Sequence, residues 1–153
     1  MTDTVRIRRE PPAFRHASVL RLRPLTPHMR RVTLSGPDLE GFSVEEPAAS
    51  VRVLLPPAGR AGLVIPTWNG NEFLMPDGTR PILRTFTPRY WRADELELDV
   101  DIVLHPAGAA SAWVVDATPG SPVAISGPGR GYEFPSEAAF WLAGDESAIP
   151  AIA

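Results

Sequence analysis

Short segments in which apolar and polar residues alternate make up much of the chain, and Pro or Gly separates them. They predict six strands, at residues 14–22, 29–34, 51–55, 82–90, 96–105 and 123–126. Only Gly108–Ala117, before the end of the chain, has the composition of a helix. This spacing predicts a mainly β fold, a six-stranded antiparallel Greek-key barrel with one capping helix.

Two stretches depart from this pattern. Residues 58–81 contain Gly and Pro without a period, which predicts a long loop with a marginal hairpin at 73–75. Residues 139–144 form a continuous apolar run that ends at Gly144, and Asp145–Ser147 follows as a helix start. We therefore predict an extended segment at 1–13, a barrel domain at 14–137, and at 138–153 the first strand of a truncated α/β domain.

Composition narrows the class of protein. The chain has 153 residues, 44% of them hydrophobic, and its 18 prolines argue against a helical bundle. A net charge of −3 gives no general basic field, so we expect no nucleic-acid partner. The chain has no cysteine, and its three histidines have no ligand spacing, so no metal site is predicted. No apolar run is long enough to span a bilayer, and the N-terminus is unlike a signal peptide, which predicts a cytoplasmic protein without membrane insertion.

Two features indicate a ligand. In the segment Arg84–Arg89, Arg84 and Phe86 share one face of the predicted strand, which presents a cation beside an aromatic ring. Gly108–Ser111 opens the predicted helix with small residues, and free amide groups at a helix start bind phosphate. Each feature alone is common. Together, in a strand, strand, helix succession, they predict a ligand with a planar ring and a diphosphate.

This pair of features resembles the FAD site of ferredoxin-reductase-like flavoproteins, with their Arg-x-Tyr-Ser/Thr strand and Gly-x-x-Ser/Thr helix start. The wider sequence resembles the siderophore-interacting branch of that superfamily, the FAD-dependent ferric-siderophore reductases. The segments that carry the resemblance are 25–34, 84–89, 96–105 and 142–152. It extends from about residue 14 to the end of the chain, and it implies that 14–137 is an FAD-binding domain and that 138–153 begins a truncated NAD(P)H-binding domain.

The resemblance implies roles for particular residues. Arg84 would bind the FAD pyrophosphate, Phe86 would stack on the isoalloxazine ring, and Thr87 would be the catalytic residue, hydrogen-bonding near flavin N5. Phe86 stands where the reductases have Tyr, so stacking is kept while a phenolic hydrogen bond is lost. The remaining cofactor-binding residues would be Thr85, Asp101, Ile102, Val103, His105, Gly108, Ala109, Ala110 and Ser111.

The resemblance also implies an activity, in which NAD(P)H or another donor reduces FAD and electrons pass to Fe(III) held by a siderophore, releasing Fe(II). The expected partner is a ferric siderophore, and we expect a monomer. Two alternatives remain open at this point. One is a flavin reductase of the same superfamily with another acceptor, such as a ferredoxin, a quinone or an oxygenase. The other is a small β-barrel binding module without redox chemistry.

Overall fold

A seven-stranded antiparallel sheet forms the body of the structure, a computed structural model that describes residues 11–60, 62–129, 131–137 and 139–153. Nearly all of the predicted N-terminal segment 1–13 lies outside the described residues. The sheet strands are β1 (Phe14–Thr26), β2 (Met29–Ser35), β3 (Val51–Leu55), β6 (Ile82–Phe86), β7 (Pro88–Arg92), β8 (Glu97–Val103) and β9 (Pro122–Ser126). A separate two-stranded ribbon consists of β4 (Thr67–Trp68) and β5 (Phe73–Leu74).

The strand order within the sheet is β6-β3-β9-β1-β2-β8-β7, so the two edge strands follow each other along the chain. Only Thr87 separates them. The sheet must therefore curl until its edges approach, as the barrel prediction requires. The mainly antiparallel β fold is confirmed, but the predicted count of six strands is not, because residues 82–90 divide at Thr87 into two strands with different partners.

The core lies on the concave side of the curled sheet. Alternation along the strands sends one set of aliphatic side chains inward from all parts of the sheet. The fully buried members are Val19, Val32, Leu34, Val51, Val53, Leu55, Leu98, Val100, Val123 and Ile125, joined by Leu39 and Val114 from outside the sheet. Burial of this apolar surface is the main source of stability.

The single predicted capping helix is α1 (Ala109–Asp116), which packs beside β8 through the buried side chain of Val114. Arg30 of β2 donates a hydrogen bond from Nη1 to the Val114 carbonyl at 3.2 Å. A cation near the last carbonyls of a helix stabilises its C-terminus. The helix is thereby fixed against the strands that carry the candidate site.

The C-terminal stretch differs from the sequence-based expectation. Residues 139–143 are irregular, and Trp141 is 100% exposed, so the predicted strand of an α/β unit is absent there. A buried parallel strand needs neighbouring strands as hydrogen-bond partners for its amide and carbonyl groups. No described strand lies beside residues 139–143 to supply them. The predicted helix start is confirmed: Asp145 accepts from the Ser147 amide at 3.0 Å, and a 3₁₀ turn leads into α2 (Ile149–Ile152).

Candidate functional site

The consecutive strands β6 and β7 pair with different strands, and this leaves an opening between β6 and the end of β8. The β7–β8 ladder ends at the Pro88–Val100 pair, while β6 pairs with β3. β7 and β8 are antiparallel. The chain before Pro88, which forms β6, therefore leaves this ladder in the same direction as the chain after Val100, which forms the last part of β8. Arg84–Thr87 and the β8–α1 loop therefore lie at the same end of this ladder. We call the opening between β6 and residues 101–108 the seam.

Arg84 lies on the β6 side of the seam, directly across from Val53 of β3. Its side chain is exposed, and its Nη1 donates to the neighbouring Leu83 carbonyl at 2.8 Å. No ion pair to Arg84 occurs among the described residues. The next residue, Thr85, is exposed and lies across from Arg52. The guanidinium is thus available to an anion.

Phe86 and Thr87 complete this side of the seam. Phe86 lies across from the buried Val51 and packs against the core, yet it is only partly buried. Thr87, also partly buried, is the single residue between β6 and β7. A ring held by the core on one side offers a fixed surface for stacking on its free part.

The N-terminus of α1 lies on the other side of the seam. Its first turn contains no acidic residue, and the first helical bond runs from the Ala112 amide to the Gly108 carbonyl at 2.9 Å. The amides of Ala109 and Ala110 precede that bond and so have no acceptor within the helix. A Cβ on Gly108 would lie 2.5 Å from His105 Nε2, so only glycine fits this turn without displacing the ring. Small residues here leave the amide groups open to an anion.

Ser111 has an internal role in this turn. Its hydroxyl accepts from the His105 amide at 2.9 Å and donates to the Val103 carbonyl at 3.3 Å. The residue is 7% exposed. The hydroxyl therefore fixes the loop between β8 and α1, which leaves the Ser111 amide as the group that can face a phosphate.

The predicted residues of β8 divide between its two faces. Ile102 points into the core and is 2% exposed, so its side chain is not on the seam surface. Asp101, on the opposite face, receives two hydrogen bonds from Arg31, at 2.7 and 2.8 Å. These bonds raise the pKa of Arg31 against the opposing effect of burial. Val103 shares that outer face and is partly buried.

Sequence analysis missed a network of charged residues on the same outer face. Arg92 of β7 donates to both oxygens of Asp99 at 2.9 Å and to Glu97 Oε2 at 3.0 Å, and the Thr33 hydroxyl donates to Asp99 at 2.6 Å. Arg21 of β1 also donates to Glu97. The signal was present in the sequence: acids at 97, 99 and 101 alternate with Leu98, Val100 and Ile102, as expected of an outer face that meets arginines from neighbouring strands.

The pKa values in this network follow from its contacts. Burial raises the pKa of Asp99, but the hydrogen bonds from Arg92 and Thr33 outweigh burial, and the net pKa lies below the ordinary value. The hydrogen bond from Arg21 lowers the pKa of Glu97. The hydrogen bond to Asp99 raises the pKa of Arg92. All of these groups are therefore charged at neutral pH.

The seam carries groups of the kinds that bind a planar ring and a diphosphate. An unpaired guanidinium and a partly exposed aromatic ring lie on one side, and free helix amides lie on the other. Among the described residues no group of three or more His, Asp or Glu is placed to hold a metal ion. No helix of the described chain is long and apolar enough to cross a membrane.

Solved structures with the same fold define the class. The structure is similar to the ferredoxin reductase in carbazole 1,9a-dioxygenase, with a TM-score of 0.54 at 16% identity over 80% of this chain and 30% of the other, a likeness of fold alone. It is more similar to the siderophore-interacting protein SipS from Aeromonas hydrophila, with a TM-score of 0.73 at 35% identity over 92% of this chain and 52% of that one. The fold is that of the ferredoxin-reductase-like flavoproteins.

The sequence pattern described as "Siderophore-interacting FAD-binding domain" matches residues 18–132, and the chain belongs to this family. Its curated relatives include the ferric vibriobactin reductase ViuB of Vibrio cholerae, 37% identical over 82% of this chain and 46% of that protein. Another is the NADPH-dependent ferric-chelate reductase of Escherichia coli, 34% identical over 91% of this chain and 54% of that protein. The chain spans about half the length of these relatives.

Proposed function

We propose that this chain is the FAD-binding part of a flavin-dependent ferric-siderophore reductase. The observation that carries the proposal is the seam, where the Arg84 guanidinium and the amide groups of the α1 start lie at the same end of the β7–β8 ladder. Family membership supports FAD as the cofactor. The Vibrio cholerae and Escherichia coli relatives are named as ferric-chelate reductases, which supports a ferric chelate as the acceptor.

The chain's residues would divide the work of holding the cofactor. Arg84 would pair with the pyrophosphate, and the Ala109, Ala110 and Ser111 amides would donate to it at the helix N-terminus. Phe86 would stack on the isoalloxazine ring. The remaining predicted ligands, Thr85, Asp101, Val103, His105 and Gly108, would line the seam by position, and Ile102 would support them from the core.

FAD, when bound, would supply the redox chemistry that links a two-electron donor such as NAD(P)H to one-electron reduction of Fe(III). Thr87 would orient the reactive edge of the ring through its hydroxyl. Fe(II) binds hard-oxygen chelators more weakly than Fe(III), so reduction releases the metal. We expect the chain to act in the cytoplasm, where nicotinamide donors are made, and to be a monomer.

The test starts from the purified chain incubated with FAD and desalted. We expect flavin absorbance to remain with the protein. Under anaerobic conditions, after reduction with one equivalent of dithionite, adding a ferric siderophore should restore the oxidised flavin spectrum and form Fe(II), detected with a ferrous-specific chelator. A folded protein that retains no flavin would contradict the proposal.

Another acceptor in the same superfamily is the second candidate, because the fold shared with the carbazole dioxygenase reductase does not by itself determine the acceptor. The same reduced protein distinguishes the two. Reoxidation by a [2Fe–2S] ferredoxin or a quinone that outpaces reoxidation by every ferric chelate tested would favour this second candidate.

A further inference from the structure

The charges along α1 depart from the arrangement that stabilises a helix. An acidic side chain in the first turn and a basic one in the last turn are the usual stabilising charges. The first turn of α1 has no acidic residue, the N-cap residue Gly108 gives no side-chain hydrogen bond, and the last turn has no basic residue. The final helical residue is Asp116, an acid at the negative end of the helix. The helix therefore gains no charge stabilisation from its own side chains.

Arg30 of β2 supplies the cation that the helix end lacks. Its Nη1 donates to the carbonyl oxygen of Val114, which lies in the last turn of α1, at 3.2 Å. The Arg30 side chain is partly buried, and it forms no ion pair within the described residues. Its positive charge is thus directed at the carbonyl end of the helix rather than at a carboxylate.

Strand β2 holds the segment from β8 to α1 at two points. Arg30 lies across from Ile102 in the β2–β8 ladder. Two residues earlier in β2's approach, the His28 carbonyl accepts a hydrogen bond from the Leu104 amide at 2.8 Å, in the loop that leads to α1. The first contact fixes the end of the helix and the second fixes the loop before it. Together they set the direction of the helix, because a helix held at one end only can pivot.

A helix as short as α1 depends on such contacts. It has 8 residues, about two turns, and isolated helices shorter than about 12–15 residues are marginal in water. Fraying or pivoting of α1 would disorder the Ala109 and Ala110 amides at its start. Donors that are ordered before a ligand binds raise the affinity, because binding does not have to order them. A contact at the end of α1 therefore affects an anion bound at its start.

We propose that Arg30 is a positioning residue for the FAD diphosphate: it holds the C-terminal end of α1 so that the amides at the other end face the phosphate oxygens. This inference rests on the proposed function, which places the diphosphate at the α1 start. Arg30 does not touch the cofactor and acts through the helix. Its charge also lies about 10 Å along the axis from the first amides, where it favours an anion over a neutral ligand.

The test measures the dissociation constant of FAD, by quenching of flavin fluorescence, for the wild type, Arg30→Met, Arg30→Lys and Arg15→Met. Methionine keeps an apolar stem but removes the charge and the hydrogen bond, whereas lysine keeps the charge. Arg15 is the matched control, since its Nη1 also donates to backbone carbonyls, those of Asp38 and Glu40 at 2.8 and 2.7 Å, beside the 3₁₀ turn Pro37–Leu39. We expect R30M to raise the dissociation constant about threefold to tenfold at low salt and less at high salt. R30K and R15M should stay close to the wild type.

A second ligand separates this inference from the proposed function. ADP carries a diphosphate without the flavin ring, and the rise in melting temperature that it causes reports its binding to the folded chain. We expect ADP to stabilise the wild type more than R30M. If no variant retains FAD but ADP shows this difference, the proposed function fails and the role of Arg30 stands. A dissociation constant of FAD in R30M equal to that of the wild type, losses of equal size in R30M and R15M, or ADP shifts that are equal in the wild type and R30M would each overturn the inference.

Discussion

The buried carboxylate of Asp99 offers a sharp test of what holds β7 to the rest of the sheet. It accepts hydrogen bonds from both terminal nitrogens of Arg92 at 2.9 Å and from the Thr33 hydroxyl at 2.6 Å. Asp99→Asn keeps the shape of the side chain but removes the charge, and it turns one acceptor toward Arg92 into a donor. The variant therefore leaves Arg92 with a poorer partner inside the network.

The expected cost follows from the burial of the two partners. Removing one member of a fully buried ion pair costs about 3–5 kcal/mol. The Asp99 side chain is 6% exposed, but that of Arg92 is 31% exposed and keeps its bond to Glu97. We therefore expect about 2–3 kcal/mol of lost unfolding free energy, below the fully buried value. For a chain of this size that corresponds to a melting temperature lower by about 4–10 °C.

Urea unfolding followed by tryptophan fluorescence measures the loss, and the chain offers a control on the same arginine. Glu95 approaches Arg92 at 3.2 Å, but its side chain is 61% exposed. Exposed pairs contribute at most about 1 kcal/mol, so Glu95→Gln should change stability only slightly. Equal losses in the two variants would refute the reasoning that burial makes the Asp99 pair the stronger one.

Three further outcomes can be checked. Arg84→Ala should weaken FAD binding by about 1.5–3 kcal/mol, the scale of a charged hydrogen bond, with little change in stability because this side chain is exposed. A flavin-fluorescence titration measures the affinity for FAD, and an affinity equal to that of the wild type would remove Arg84 from the site. The folded-state pKa values of Glu97 and Asp99 are lowered, so the stability that these carboxylates contribute is complete above about pH 4 and is lost as the pH falls through the folded values. In that range the unfolding free energy of the wild type should fall more steeply than that of D99N. Parallel plots of unfolding free energy against pH for the two proteins would contradict this. Ser111→Ala removes both hydrogen bonds that fix the loop before α1 and should cost about 1–2 kcal/mol in thermal unfolding, whereas a wild-type melting curve would show that the loop does not depend on them.

The parts of the fold that the sequence predicted are those with strong local patterns. Val51–Leu55 was predicted with its observed bounds, and the helix at Gly108–Ala117 differs from α1 by one residue at each end. The division at Thr87 has no local signal, because it depends on which partner each half of the segment meets across the sheet. The β7–β8 pairing also contains a β-bulge, in which Arg89 is an extra residue between the pairs Pro88–Val100 and Tyr90–Asp99. The bulge has no local signal either, because it is defined only by the register with β8.

The candidate site shows a similar limit. The strand period placed Arg84 and Phe86 on one face from the sequence alone, and the structure leaves Arg84 exposed as a ligand-binding cation requires. The same period could not show that Asp101 would meet Arg31, because residues 70 positions apart come together only through the β2–β8 register. Similarly, the internal use of the Ser111 hydroxyl depends on the path of the loop rather than on the helix-start pattern.

The division of the segment 82–92 also determines which backbone amides lack a strand partner. β2 is flanked by β1 and β8, whereas β6 pairs with β3 on one side only. Amide groups on the other side of β6 have no strand partner among the described residues, so they should exchange with deuterium far faster than those of β2. A ligand in the seam would slow exchange along β6 and leave β2 unchanged. The candidate site thus coincides with one of the two open edges of the sheet, and occupancy can be followed in the backbone without observing the ligand.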